Sequence, residues 1–382
     1  MNYPLQTLWH DRSRYLPGIL AVTFSAVLIA LQCGLLLGLF SLTSIPIDYT
    51  RADLWVGSPE VESVDLGRPI PLTFMSRIAQ DPRVDQVEDY YQAFGSWTKP
   101  NGTSSLCMVI GSNLNEHSQG AVRELTPEMR ILLTQPGSVV VDASDFKLLG
   151  VKALGDKAEI NRQTVQIVGV IKGMRSLAAP YALCSRETAK NLLHGVLPAD
   201  HTTYLLVRCK DAKDAPKMVD DLTAMYPLTP GDSARNMSVF TSSDFSFRTQ
   251  LHWLLRTKAG IAIGYAAILG LLVGMVVTSQ TLYAATMASA REYAILLALG
   301  IPRWRISVTV VVQSLWIGVI GTLLAYPIVT GLGSLAALGG VPVLLHWWLL
   351  AGSAVVTILM ALFAGMFALR SVRQIEPMSL LR

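Results

Sequence analysis

"AGIAIGYAAILGLLVGMVVTSQTLYA", residues 259 to 284, contains no Asp, Glu, Lys, Arg or His. It exceeds the roughly 20 residues that a helix needs to cross the hydrocarbon core of a bilayer. Three more runs read the same way: 17–40 (PGILAVTFSAVLIALQCGLLLGLF), 306–332 (ISVTVVVQSLWIGVIGTLLAYPIVTGL) and 347–369 (WWLLAGSAVVTILMALFAGMFAL). The composition agrees, since 51% of the 382 residues are hydrophobic and only 15% are charged. The expected fold class is an α-helical membrane protein with four transmembrane helices and a large extracytoplasmic mixed α/β domain. Arg12 and Arg14 precede the first run as they would a secretory signal. The run is too long for a signal core, however, and no A-x-A-like site follows, so it reads as an uncleaved anchor.

Orientation follows from the short flanks, because long loops are translocated largely regardless of charge. Arg12 and Arg14, then Arg291, Arg303 and Arg305, then Arg370, Arg373 and Arg382 mark three cytoplasmic flanks, whereas 333–346 carries no Lys or Arg. The expected order is a cytoplasmic segment 1–16, span 17–40, exported domain 41–258 and span 259–284. A cytoplasmic loop 285–305, span 306–332, outer loop 333–346, span 347–369 and cytoplasmic tail 370–382 complete it. The expected setting is the cell's inner (plasma) membrane, with both termini expected in the cytoplasm and lipid around the spans.

The net charge of +4 calls for no nucleic acid, because the basic residues of 41–258 are scattered among acidic ones. Cys33 falls in a span, while Cys107, Cys184 and Cys209 fall in the exported region, where an oxidising compartment would permit one disulfide. Asn101-Gly-Thr and Asn236-Met-Ser are glycosylation sequons on paper. Strand-like runs are 106–111 (LCMVIG), 138–141 (SVVV), 165–171 (VQIVGVI) and 204–207 (YLLV). Helices are expected over 72–80, 144–149, 185–193 and 215–225, with Ser144 and Ser185 as N-caps and Gly150 as a stop. Two small α/β lobes would result, the middle part (about 112–200) being inserted into a lobe built from both flanks.

Few residues suggest catalysis. His10, His117, His194, His201, His252 and His346 show no ligand spacing, and no His/Cys pattern suggests a metal. "GVKALGDK" (150–157) superficially resembles a phosphate loop but has Asp156 where the lysine must be. The spans lack the ionisable residues that ion-coupled carriers use, offering only Gln32, Gln280, Gln313 and hydroxyls, so energy must come from elsewhere or not be needed. Gly270-x-x-x-Gly274 in the second span could let two helices approach closely, although Gly is frequent in membrane helices in any case.

"REYAILLALGIPRWRI" (291–306) follows the second span. Ser289 and Glu292 form a capping-box pattern, Gly300 offers a left-handed stop and Pro302 prevents continuation, which predicts a helix over 290–299. Ile295, Leu296 and Leu299 make one apolar stripe, flanked by Arg291 and Glu292 at one end and by Arg303, Trp304 and Arg305 at the other. Such a helix could lie in the lipid interface or dock in a groove of another protein.

"ASAREYAILLALGIPRWRI" (288–306) resembles the R-E-x-x-x-L-x-A-L-G pattern after the second span of FtsX/MacB-type ABC transporter permeases, on Arg291, Glu292, Leu296, Ala298, Leu299 and Gly300. "RQIEPMSLLR" resembles that family's P-x-x-x-L-R ending on Pro377, Leu381 and Arg382, and 142–171 looks like a segment of its exported domain. Residues 11–42 and "ADLWVGSP" (52–59) look most similar to the DevC-like branch. The resemblance implies a MacB-like periplasmic domain and a homodimer of permeases. It further implies a separate cytoplasmic ABC ATPase that binds ATP and Mg, so the chain itself needs no cofactor and does no covalent chemistry. In that reading Arg291, Glu292, Ile295, Leu296, Leu299, Gly300 and Arg303 couple to the ATPase, and a periplasmic membrane-fusion adaptor leads to an outer-membrane channel. Two alternatives stay open: a permease that extracts lipoproteins or regulates the cell envelope, and a sensory receptor. The receptor fits poorly, because the expected cytoplasmic segments amount to a helix and a short tail.

Overall fold

The computed structural model describes residues 12–99, 102–226, 237–289, 292, 295–296, 299–338, 341 and 343–373. The chain divides into two compact units, Met1–Leu39 with Lys258–Arg382, and Phe40–Thr257.

Among the described residues, four helices are long and apolar enough to cross a membrane. They are Arg12–Thr43, Lys258–Ala288, Arg303–Leu338 and Trp347–Arg373. All four run past the expected limits, the first from Arg12 to Thr43 where 17–40 was expected, and for the second and third the reason is local. Ala285–Thr286–Met287–Ala288 holds no helix breaker, so the second helix continues through the first residues of the expected 285–305 loop. Leu335, Ala336, Ala337 and Leu338 likewise carry the third helix into the expected 333–346 loop, and Arg303 begins that helix although the preceding loop was expected to run to Arg305.

Small residues bring these helices together, as lipid offers no hydrophobic drive for them to associate. A methyl group added at Gly270 would lie 2.5 Å from Leu28 Cδ2, and one at Gly274 would lie 3.2 Å from Ser25 Cβ, so the second helix rests directly on the first. Ser25 Oγ lies 2.8 Å from the Ala21 carbonyl, 3.1 Å from the Gly274 carbonyl and 3.0 Å from Thr278 Oγ1, which satisfies a hydroxyl fully removed from solvent. Tyr15, Val22, Ala285, Ile317, Ala361 and Ala364 form the apolar centre of this unit.

Among its described residues the second unit has eleven strands: β1 Leu54–Gly57, β2 Ile70–Pro71, β3 Val84–Thr98, β4 Ser104–Ser112, β5 Ser138–Asp142, β6 Lys157–Ile160, β7 Gln163–Ile171, β8 Tyr181–Ser185, β9 His201–Thr202, β10 Tyr204–Cys209 and β11 Ser238–Thr241. Nine form one mixed sheet in the order β11-β1-β10-β3-β4-β8-β5-β7-β6, while β2 and β9 pair separately. The long β3 joins the two ends of the sheet. Its first half pairs with β10 (Val87 opposite Val207) and its second half with β4 (Tyr91 opposite Gly111 through Thr98 opposite Ser104). The strands of 138–185 therefore lie at one end and those of both flanks at the other, with separate apolar cores around Val139 and Leu205 and a third around Trp55.

Local expectations meet local chemistry here. Ser185 caps Arg186–Leu192 by accepting from the Thr188 amide, and Gly150 adopts φ 68° after Phe146–Leu149. Ser144, expected as an N-cap, is instead capped: Asp142 Oδ1 accepts from its amide at 2.8 Å and from its hydroxyl at 2.7 Å, so Asp142 takes the N-cap position and the Ser144 hydroxyl is already engaged as a donor. The segment 144–149 accordingly splits into a 3-10 turn, Ala143–Asp145, and one helical turn.

Candidate functional site

The segment after the second helix presents a compact turn. Glu292, Ile295 and Leu296 are helical, and Gly300 ends the helix with φ 85°. The Leu299 amide donates to the Ile295 carbonyl at 3.0 Å and the Ile301 amide to the Leu296 carbonyl at 3.1 Å. A six-to-one bond over a left-handed glycine is the Schellman arrangement, and its usual apolar contact is present too: Leu296 and Ile301 both pack against Ile306 and Val310 of the third helix. The expected stripe is thus divided. Leu296 packs inside the molecule, whereas Ile295 is 44% exposed and Leu299 75% exposed. Trp304, 63% exposed, lies beside them in sequence with the Arg305 guanidinium 5.5 Å from its ring. Arg291 and Ala298 lie outside the described residues, as do Pro377, Leu381, Arg382 and the sequons at Asn101 and Asn236, and the Arg303 side chain is likewise not described.

The second helix is preceded in sequence by a helix that the sequence did not signal, Ser242–Arg256, capped by Thr241 Oγ1 accepting from the Asp244 amide at 3.1 Å. Only Thr257, in extended conformation, separates it from Lys258. One end of this connecting helix is anchored by packing. Phe245 is fully buried, stacked on Phe240 at 5.2 Å and 5.7 Å from Trp55. The other end is anchored by hydrogen bonds to a single loop. Thr249 Oγ1 accepts from the Val64 amide at 3.2 Å, Trp253 Nε1 donates to Asp65 Oδ2 at 3.2 Å, and His252 Nδ1 lies 2.8 Å from Glu62 Oε2. Residues 249, 252 and 253 share one helical face, so the loop 62–65 holds that face as a clamp. Burial pushes the Asp65 carboxyl up to about 6, against the lowering effect of the Trp253 bond. Gln92 Nε2 is its other donor, at 3.4 Å, while Gln92 Oε1 is buried without a partner.

Two cavities border the connecting helix. One, of about 270 Å³, is lined by Glu62, Arg248, Leu251, His252, Leu255 and Arg256. The other, of about 500 Å³, lies between 47–52 and 242–250 beside Arg123. Among the described residues no group of His, Cys, Asp and Glu is placed to hold a metal ion. The segment 150–157 is a closed turn, with Asp156 Oδ2 accepting from the Lys152 amide at 2.8 Å and the Ala153 amide at 3.1 Å. The disulfide that the sequence permits is not formed. Cys107, Cys184 and Cys209 are free and buried; β4–β8 register sets Gly111 opposite Cys184, and Cys209 sits in a different apolar core. Burial pushes the Cys107 thiol up to about 12 and Cys209 to about 11, so neither is a reactive thiolate at neutral pH.

Residues 264–377 match the family model of the FtsX-like permease C-terminal domain. The match holds at the level of that domain and does not single out the DevC-like branch. No curated relative matches the sequence. Among solved structures the chain is similar to the periplasmic region of MacB from Actinobacillus actinomycetemcomitans, with 14% identity and a TM-score of 0.34 over 53% of this chain and 94% of that one. It is similar also to the extracellular domain of the noncanonic ABC-type transporter YknZ from Gram-positive bacteria, with 11% identity and a TM-score of 0.33 over 50% of this chain and 99% of that one.

Proposed function

We propose that this chain, whose residues 264–377 form an FtsX-like permease domain, is the permease subunit of an ABC transporter driven by a separate cytoplasmic ATPase. Two copies pair, the ATPase binds ATP and Mg, and its closure acts on the turn at 292–300. The second helix and the connecting helix Ser242–Arg256 then carry the movement to the α/β unit. That unit works on the outer side of the inner membrane with both termini inside, engaging a periplasmic adaptor that leads to an outer-membrane channel. The match to a permease domain supports an ATPase partner and a dimer.

The observation that carries it is the division of the apolar stripe. Leu296 is used inside the chain, while Leu299 and Ile295 are held outward by a cap fixed at Gly300. Exposed apolar side chains on a capped turn are what a groove in a partner would receive. Co-purification with the cognate ATPase tests this. Wild type should give a complex of two permeases and two ATPases. Leu299→Asp should abolish a micromolar association, since burying an unpaired carboxylate costs several kcal/mol, on the order of what such an affinity is worth. Glu292→Gln separates charge from capping, because Gln could close the expected capping box as Glu would but carries no charge: retained assembly assigns Glu292 a structural role, and lost assembly a contact. Full assembly of Leu299→Asp would remove the turn from the coupling path.

A further inference from the structure

The connecting helix carries a second row of side chains, which shares only His252 with the clamp. Arg248, His252 and Arg256 recur every four residues, so they form one line along the helix, and Leu251 and Leu255 run beside it at 40% and 58% exposure. Together with Glu62 they line the cavity of about 270 Å³. The Arg248 guanidinium is held over the Phe240 ring at 5.2 Å. Among the described residues Glu62 is the one carboxylate lining the space, and it faces His252 at 2.8 Å and Arg256 at 3.8 Å. Two permanent cations against one carboxylate leave the cavity net positive without any charge on histidine.

We infer that this cavity holds the headgroup of an anionic phospholipid, with the phosphate between Arg248 and Arg256 and the glycerol and upper acyl region on Leu251 and Leu255. Chain continuity favours a lipid over a soluble anion. Arg256 stands two residues before Lys258, where the second spanning helix begins. Two residues reach at most about 7 Å, and each headgroup layer is about 5–7 Å thick, taken from the difference between total and hydrocarbon thickness. Arg256 therefore cannot leave the neighbourhood of the headgroups. A helix with a basic row beside an apolar row is also the pattern of an interfacial contact. The inference needs the span beginning at Lys258 to sit in a bilayer but does not involve the ATPase, so it can fail while the proposed function stands.

The test uses the full chain in detergent, titrated with phosphatidylglycerol or phosphatidylcholine and read as bound lipid by native mass spectrometry. Wild type should prefer phosphatidylglycerol. Arg248→Gln with Arg256→Gln should weaken that binding about thirty-fold, from about 1 kcal/mol for each arginine near an anionic surface, and leave phosphatidylcholine unchanged. Glu62→Gln should tighten it several-fold, a gain that a merely damaged protein would not show, so this variant decides the matter if the double variant does not fold. Unaltered phosphatidylglycerol binding in Glu62→Gln and in a folded double variant would overturn the inference. Displacement of the lipid by millimolar glycerol phosphate or inorganic phosphate would overturn it as well, assigning the cavity to soluble anions.

Discussion

Asp65→Asn should stabilise the α/β unit at neutral pH, although Asp65 is one of the residues that clamp the connecting helix. The carboxyl is raised from 3.8 to about 6 by burial. A raised carboxylate means that the folded protein binds the proton more tightly than the unfolded chain. The favourable contribution is complete below pH 3.8 and is lost as pH rises through 6, so at pH 7.5 the ionised side chain is a burden. A shift of two units corresponds to about 3 kcal/mol as a ceiling, and partial solvent access lowers the expected effect to about 1–2 kcal/mol. Asparagine removes the charge but not the clamp. Its carbonyl accepts from Trp253 Nε1 where Oδ2 now does, and its amide can donate to Gln92 Oε1, which has no partner at present. Urea unfolding of residues 41–258, followed by tryptophan fluorescence at pH 4.5 and 7.5, measures the difference between variant and wild type. That difference should move in the variant's favour by about 1–2 kcal/mol from the lower pH to the higher. Asp145, also raised to about 6 by burial, titrates in both proteins and cancels. A difference independent of pH, or a variant less stable than wild type at pH 7.5, would show that Asp65 is not a desolvated charge.

What the sequence revealed and what it hid divide along the range of the interactions. Spans are legible because a bilayer demands some 20 apolar residues in one run, a wholly local property. Strands β4, β5, β7 and β10 are legible for a similar reason, each being a short apolar run. β3 is not, since Glu88, Asp89 and Gln92 interrupt it, and all three are buried. Besides Gln86 and Tyr91 of the same strand, their partners lie far off in sequence: Ser118 Oγ at 2.8 Å and the Gln119 amide at 3.0 Å for Glu88, Arg186 for Asp89, and Thr203 for the Gln92 backbone. The connecting helix is hidden likewise, because the face that docks on loop 62–65 is made of Thr249, His252 and Trp253 and so blurs the apolar period. The turn at 292–300 shows the limit from the other side. Gly300 and Pro302 announce its end, but no local pattern reveals that Leu296 meets Ile306 and Val310 while Leu299 faces out.

Gly270→Leu should lower the thermal midpoint of the full chain in detergent by several degrees, since overpacking costs about 1–3 kcal/mol and Leu28 already blocks the space; an unchanged midpoint would mean that the first and second helices do not rest on each other. Residues 41–258 expressed alone in an oxidising compartment should be soluble, having their own apolar cores. If the unit grips an adaptor in pairs, an artificially dimerised form should bind it more tightly than the monomer through effective concentration, and equal affinities would argue against paired engagement. The last prediction concerns Gly300, whose φ of 85° an alanine tolerates poorly, at about 1 kcal/mol, and an asparagine better. Leu299 immediately precedes this residue and is oriented by the bonds that close over it. Gly300→Ala should therefore weaken ATPase association several-fold while Gly300→Asn stays near wild type. Parity of both with wild type would mean that the partner reads Leu299 without needing the cap, and the turn would then be a flexible tether rather than a fixed knob.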